Sequence, residues 1–324
     1  MVLESGAGEV WAVAFQPDGK HFFDGTSKGI RRWRVADGQE VGKQTGMDLN
    51  AISVSMDQKW VVCGTEDGAS VWDGEIRKKV VEVERGERVY SVDVPPDCTR
   101  FATGGYNKAS IWNIATGERL VGPLEHGGDV KGVKFSAEGA RIATACGDSD
   151  SGTIRVFDSH NGDQLISIKN PISGGYPLTP IAWSMDGERV FATAINSQIK
   201  SFDASTGSQL TEWNIHQNQN PDCISIALGA NTKFIASCAA PFVSFWDTST
   251  QAQVGIVEDT QRIWSVALSP DGSRLVTGSN DNSGKLIVWD LRGILPESYL
   301  PINVSTRFPH LENTIYSFFF FLPM

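Results

Sequence analysis

The stretch RIWSVALSPDGSRLVTGSNDNSGKLIVWD, residues 262–290, reads as three short strands separated by two turns. Arg262 to Leu268 and Arg274 to Gly278 are largely apolar runs on either side of Ser269-Pro270-Asp271-Gly272. That tetrapeptide is a turn with a mechanism: proline presets φ, aspartate bonds its own backbone, and glycine accepts a positive φ. A second turn, through Asn280 to Gly284, leads into Lys285 to Asp290, a third run that ends in Trp-Asp.

The same order recurs along the chain. An aromatic residue closes the third run at Trp33, Trp72, Trp112, Phe157, Phe202, Trp246 and Trp289, in steps of 39, 40, 45, 45, 44 and 43 residues. Asp or Asn follows every one except Trp33. The first turn reappears as Pro17-Asp18-Gly19, Pro95-Pro96-Asp97, Ala137-Glu138-Gly139 and Met185-Asp186-Gly187, and in weaker form at Met56-Asp57-Gln58 and Gly229-Ala230-Asn231. A fixed period of this size marks a repeat architecture, in which each unit stacks on the next to bury its faces. The runs do not alternate cleanly, as expected for sheets sandwiched between two neighbours.

A fourth strand follows six of the aromatics, near Val41, Val80–Val83, Leu120–Leu124, Leu165–Ile168, Leu210–Trp213 and Val254–Val257. After Trp289 the pattern fails at Gly293-Ile294-Leu295-Pro296, while Val2-Leu3-Glu4 stands unassigned ahead of the first unit. The expected fold is therefore all-β: a seven-bladed β-propeller of four-stranded antiparallel sheets over residues 1–293, closed by the N-terminal strand completing the last sheet. Such closure leaves only short, protected edges. Residues 294–324 fall outside the repeat and end in Phe318-Phe319-Phe320-Phe321-Leu322. An apolar run of about ten residues is too short to span a bilayer, which needs roughly twenty. This segment is expected to be a poorly ordered tail, and no membrane partner is expected.

The Trp-Asp ends, the Ser-Pro-Asp-Gly turn and the second-turn acids Asp67, Asp148 and Asp281 resemble the WD-repeat β-propeller family over about residues 2–292. The resemblance implies a propeller that serves as a scaffold for other proteins. The family's Gly-His pair is largely replaced here, with Glu125-His126-Gly127 as its best remnant. Lys28 and the stretch Ala239-Ala240-Pro241 replace the second-turn acid in the first and sixth units. Together with the Pro-Asp-Gly turns, Gly8-Glu9-Val10-Trp11 is most similar to the repeat propellers of fungal NACHT-type receptors, which recognise partners or non-self ligands.

Composition narrows the function. A formal charge of -10 opposes a nucleic-acid footprint, which requires a basic face. The five cysteines show no CxxC spacing, and Cys63, Cys146 and Cys238 fall in equivalent apolar strands, as small buried thiols would. With no basic-then-apolar leader at the start of the sequence, the expected compartment is the reducing cytoplasm, with the nucleus as the alternative.

Two segments imitate nucleophile motifs. Gly25-Thr26-Ser27-Lys28-Gly29 fits G-x-S-x-G, but that chemistry needs a strand-to-helix elbow and a later Asp and His. Here the segment occupies the same turn as Gly64 to Gly68 one repeat on. Gly147 to Gly152 lacks the further oxygens and closing Glu of a calcium loop. The five histidines are scattered without ligand spacing, and no phosphate-binding G-x-x-x-x-G-K-[ST] occurs. No catalytic residue, metal site or cofactor is expected, and the chain reads as a non-enzyme.

A protein or peptide partner is expected instead. In propellers of this family the start of the innermost strand lies on one rim of the central channel. That position holds Trp11, Asn50, Tyr90, Lys131, Thr179, Ile224 and Trp264, and two residues earlier stand Glu9, Asp48, Arg88, Asp129, Pro177, Asp222 and Arg262. Ring closure places Trp264 beside Trp11, with Arg262 and Glu9 close by. Trp, Tyr and Arg are the residue types that dominate interface energetics, so Trp11, Glu9, Asn50, Arg88, Tyr90, Lys131, Arg262 and Trp264 form the candidate binding set. An alternative reading is a substrate receptor of a cullin-based ubiquitin ligase. It would dock through the box that ends in Trp289, Asp290 and Arg292, which resembles the family's Trp-Asp-x-Arg adaptor motif.

Overall fold

The computed structural model describes residues 1–4, 6, 8–147, 152–170, 180–194, 198–215, 225–229, 232–239, 241–259, 261–279 and 284–300. Among these the chain forms seven four-stranded sheets, each an antiparallel meander of consecutive strands except the last. The first sheet runs Val10–Phe15, His21–Thr26, Gly29–Arg34 and Glu40–Thr45 from the innermost to the outermost strand. The seventh consists of Ile263–Leu268, Arg274–Ser279 and Lys285–Asp290, with Val2–Glu4 as its outer strand.

The N-terminal strand therefore closes the ring as the sequence pattern requires. Val2, Leu3 and Glu4 lie opposite Ile287, Leu286 and Lys285, and the Met1 ammonium donates to the Val288 carbonyl at 2.8 Å. Each sequence repeat thus straddles two sheets. It begins with the outer strand of one blade and ends with the third strand of the next, so the two ends of the repeat array must share a sheet.

Burial follows the stacking. Seven apolar clusters each bridge two successive blades. One of them joins Val276, Leu286 and Val288 of the seventh sheet to Val10, Phe22 and Trp33 of the first. Six of the seven repeated aromatics are buried at these seams and Trp289 is half-buried there; four of the indoles donate to a hydroxyl within their own sheet. Trp112 donates to Thr103 at 2.9 Å, Trp246 to Ser237 at 2.9 Å, Trp289 to Thr277 at 3.2 Å and Trp72 to Ser70 at 2.9 Å. A buried indole N–H without such a partner would cost free energy.

The segment after the repeat departs from expectation at its start. Rather than opening a loose tail, residues 294–300 cross to the sixth blade. There Ile294 and Leu295 pack beside Val254 of the outer strand Gln253–Glu258. Tyr299, in the 3-10 turn Glu297–Tyr299, donates to Asp247 Oδ2 at 2.6 Å, and Lys233 Nζ donates to the Ser298 carbonyl at 2.9 Å. The rest of the expected tail, 301–324, lies outside the described residues.

Candidate partner-binding rim

In every blade where the rim position is described, its residue is the extra one in a β-bulge. The pairing of the innermost strand with the second shifts register between Val10 and Ala12, Leu49 and Ala51, Val89 and Ser91, Val130 and Gly132, and Ile263 and Ser265. The residues skipped are Trp11, Asn50, Tyr90, Lys131 and Trp264. A bulged residue leaves the ladder and has its side chain re-aimed, which is why bulges collect beside functional sites. Thr179, Ile224, Pro177 and Asp222 lie outside the described residues.

Ring closure brings Trp11 and Trp264 together as edge-to-face neighbours, with centroids 4.2 Å apart at 65°. Both are half-buried, so part of each ring remains available. Glu9, also half-buried, and exposed Arg262 stand two residues ahead of them. Two blades on, Tyr90 lies between two cations: the Arg88 guanidinium 4.9 Å and Lys131 Nζ 3.5 Å from its ring centre. Arg88 is held by Glu66 at 2.7 Å, and Lys131 by Asp129 at 3.0 Å. Burial, reinforced by the Asp129 carboxylate, pushes the Tyr90 hydroxyl up to about 12, so it stays protonated and able to donate. Asn50 is buried and faces inward, donating to the Val89 carbonyl at 3.2 Å. It serves as a brace rather than a contact, in contrast to its place in the sequence-derived set.

The rim is held by stitching between adjacent inner strands. Val13 N donates to Ser265 Oγ at 2.9 Å, Val94 N to Ser53 Oγ at 3.2 Å and Val133 N to Ser91 Oγ at 3.1 Å. Asp93 accepts both Phe135 N and Lys134 Nζ, at 2.9 and 2.6 Å. The channel pocket behind the rim, lined by Trp11, Asn50, Ser91, Lys134 and Ser265, has a volume of only ≈ 60 Å³. Small-molecule sites usually occupy about 300–1,000 Å³, so a partner would lie on the rim rather than inside the channel.

One residue of this face escaped the sequence reading. Tyr106, in the turn between Arg100–Gly105 and Lys108–Asn113, is 65% exposed on the same side as Tyr90. The available signal was a large aromatic in a turn flanked by glycine and asparagine. The alternative box sits on the opposite rim. There Trp289 is half-buried, and exposed Asp290 accepts the backbone N–H of exposed Arg292 at 3.0 Å. Ser27 lies in the tight turn after Thr26, whose hydroxyl accepts Lys28 N and donates to the Gly29 carbonyl. Among the described residues, no group of three or more His, Cys, Asp or Glu is disposed to hold a metal, and no helix is long and apolar enough to cross a membrane.

Comparison with known proteins points to one architecture. The profile described as WD domain, G-beta repeat matches residues 78–113, 119–158 and 253–290. Eukaryotic translation initiation factor 3 subunit I of Candida albicans is 25% identical over 169 residues, covering 48% of this chain and 48% of that protein. The guanine nucleotide-binding protein subunit beta of Arabidopsis thaliana is 29% identical over 210 residues, covering 62% of this chain and 52% of its own length. The chain thus spans about half the length of these curated relatives. The crystal structure of the Cps50 (Swd1) β-propeller domain of Myceliophteria thermophila superposes with a TM-score of 0.73 at 14% identity, covering 90% of this chain and 99% of that one. At that identity the likeness concerns the fold.

Proposed function

From the premise that the chain is a seven-bladed β-propeller carrying WD repeats, we propose that it is a non-catalytic interaction scaffold. It binds a protein or peptide on the rim formed by Glu9, Trp11, Arg88, Tyr90, Lys131, Arg262 and Trp264, with Asn50 bracing the strands beneath. The observation that carries this reading is the bulge repeated at the rim position, which lifts Trp11, Tyr90, Lys131 and Trp264 out of the ladder on one face. Partly exposed aromatic rings flanked by cations bury well against a partner and lose little side-chain entropy. Two of the relatives are named as subunits of larger assemblies, a translation initiation factor and a guanine nucleotide-binding protein, as a scaffold would be.

The finer reading is a recognition propeller of the kind found in fungal NACHT-type receptors, in the cytoplasm or the nucleus, where the buried thiols of Cys63, Cys146 and Cys238 stay reduced. Neither a cofactor nor nucleic acid takes part. The test is capture of partners from a native extract, followed by affinity measurement with Tyr90→Ala and Trp264→Ala. Each truncation is expected to weaken binding by about 2 kcal/mol, roughly thirtyfold in Kd. Asp97→Ala and Asp271→Ala, on the opposite rim, should leave affinity unchanged. Loss of binding from the opposite-rim changes alone would move the site to that face.

A further inference from the structure

Four blades carry arginine at the first residue of the second strand: Arg100, Arg141, Arg189 and Arg274. Two of these fasten one blade to the next. Arg100 donates to the Gly139 and Ser159 carbonyls, each at 2.9 Å, with its guanidinium 5.6 Å from the Phe135 ring. Arg141 donates to the Gly187 carbonyl at 2.7 Å and lies 5.0 Å from the Trp183 ring. In both cases the turn glycine and the ring belong to the following blade.

Arg189 meets a different neighbour. In the sixth blade the corresponding residues are Thr232 and Leu228. Thr232 keeps the left-handed backbone, with φ 59°, and its carbonyl accepts the Thr248 hydroxyl just as the Gly139 carbonyl accepts that of Ser159, but Leu228 offers no ring to hold a guanidinium over it. The Arg189 guanidinium is left 5.4 Å from Phe191 of its own blade and donates no side-chain hydrogen bond to a described residue. Arg274 makes no such bond either; what singles out Arg189 is the cleft it lines. This cleft has a volume of ≈ 590 Å³ between the fifth and sixth blades, and is walled also by Met185, Lys233, Ser249 and Tyr299 of the C-terminal crossing segment. Its two carboxylates, Asp186 and Asp247, are hydrogen-bonded within their own blades and the C-terminal segment, and Arg189 acts on Asp186 through charge without a hydrogen bond. Asp186 accepts the Ser184 hydroxyl and Glu188 N, while Asp247 accepts the Ser249 hydroxyl, two backbone N–H groups and the Tyr299 hydroxyl.

We propose that this cleft binds a carboxylate side chain on an acidic segment of a protein partner, with Arg189 as the bidentate donor. A guanidinium presents a planar fork that matches a carboxylate, and such paired charge-assisted bonds are the strong ones. Lys233 places a second positive charge at the cleft, and exposed Met185 offers an apolar surface to the stem of the incoming side chain. The cleft lies on the rim opposite the Trp11–Trp264 face, so the two faces can be occupied at once.

The probe is an acetylated, amidated tetraglutamate titrated into the full chain at low salt, with tetraglutamine as the uncharged control. Saturable binding of tetraglutamate alone is expected, and Arg189→Gln should weaken it by about tenfold or more. Arg189→Lys, which keeps the charge without the fork, should fall between. Arg262→Gln, on the other face, should leave binding unchanged. The thermal midpoint of Arg189→Gln should stay within a few degrees of the parent, because the change removes the contact with Phe191 and the charge interaction with Asp186 but no hydrogen bond. The proposal is overturned if tetraglutamate fails to saturate the parent chain by ~5 mM, weaker than the millimolar range expected of one paired contact, if Arg189→Gln binds equally, or if only Arg262→Gln abolishes binding.

Discussion

Asp24→Thr should stabilise this protein at neutral and alkaline pH and do little in acid. Asp24 occupies, in the first blade, the register position that holds Thr103, Thr144, Ser237 and Thr277 in other blades. It is wholly buried, accepts the Trp33 indole N–H through Oδ1, and leaves Oδ2 without a partner. Burial raises its pKa from 3.8 to about 7, against the weaker opposing pull of the Trp33 bond and Arg31; Glu40 adds to the rise. A folded-state value above the unfolded one means that the native state binds the proton more tightly. Stability is therefore full below about pH 4 and is lost as the pH rises through 7. A gap of about three pH units between the folded and unfolded values, at about 1.4 kcal/mol each, sets a ceiling of about 4 kcal/mol above pH 7. The orphaned oxygen accounts for about 1–3 kcal/mol of that. Threonine would restore the indole–hydroxyl bond seen at Trp112 and Thr103. Urea or thermal unfolding of parent and variant at pH 4.5 and pH 8 reads the difference directly, at about 1.5 °C per kcal/mol for a chain of this size. A variant no more stable than the parent at pH 8, or one with the same advantage at both pH values, would refute the reasoning.

Three further outcomes are expected. Deleting residues 1–6 removes the strand paired with Lys285–Asp290 and exposes an unprotected edge, so the truncated protein should unfold earlier and aggregate; a monodisperse product with the parent midpoint would disprove closure by this strand. Trp112→Ala empties a seam site that is 6% exposed and should cost about 3–5 kcal/mol, read by denaturant titration, with less than about 1 kcal/mol contradicting the packing. Burial, aided by Arg155 and against the bond to the Leu124 carbonyl, lowers His126 from 6.5 to about 4. Its contribution is thus present above pH 6.5 and lost by about 3 kcal/mol as pH falls towards 4; His126→Gln should flatten that loss, and an unchanged acid profile would show that His126 does not carry it.

What the sequence revealed and what it hid differ in the range of the interactions involved. The blades were legible because their signals are local: Trp-Asp at the end of a strand, and Pro-Asp-Gly between two strands. The Trp11–Trp264 contact was legible too, because ring closure turns a sequence period into a neighbour relation across more than 250 residues. The bulges were not, since a bulge is a property of two paired strands and no residue type announces it. The fastening of the blades was hidden for a different reason. Where the fourth blade uses His126 to reach Thr144 at 2.8 Å, the third uses buried Glu84, and the seventh has buried Asp259 joined to Lys285. In sequence, Glu84 and Asp259 look like solvated loop acids, and Lys108 and Lys285, each at the head of a third strand, look like surface charges. Only the fold shows that these acids are buried and that a lysine stands by each: Lys285 is paired directly with Asp259, while Lys108 lies 3.9 Å from Glu84 and is bonded more closely, at 2.6 Å, to exposed Glu87. Removing Lys285 would leave the buried Asp259 carboxylate uncompensated, which costs far more than an exposed pair returns. The place of the family's histidine is thus taken in two blades by a buried acid with a lysine of the same sheet beside it. A motif search registers that exchange as a loss, whereas the folded sheet retains a polar fastening at the same place.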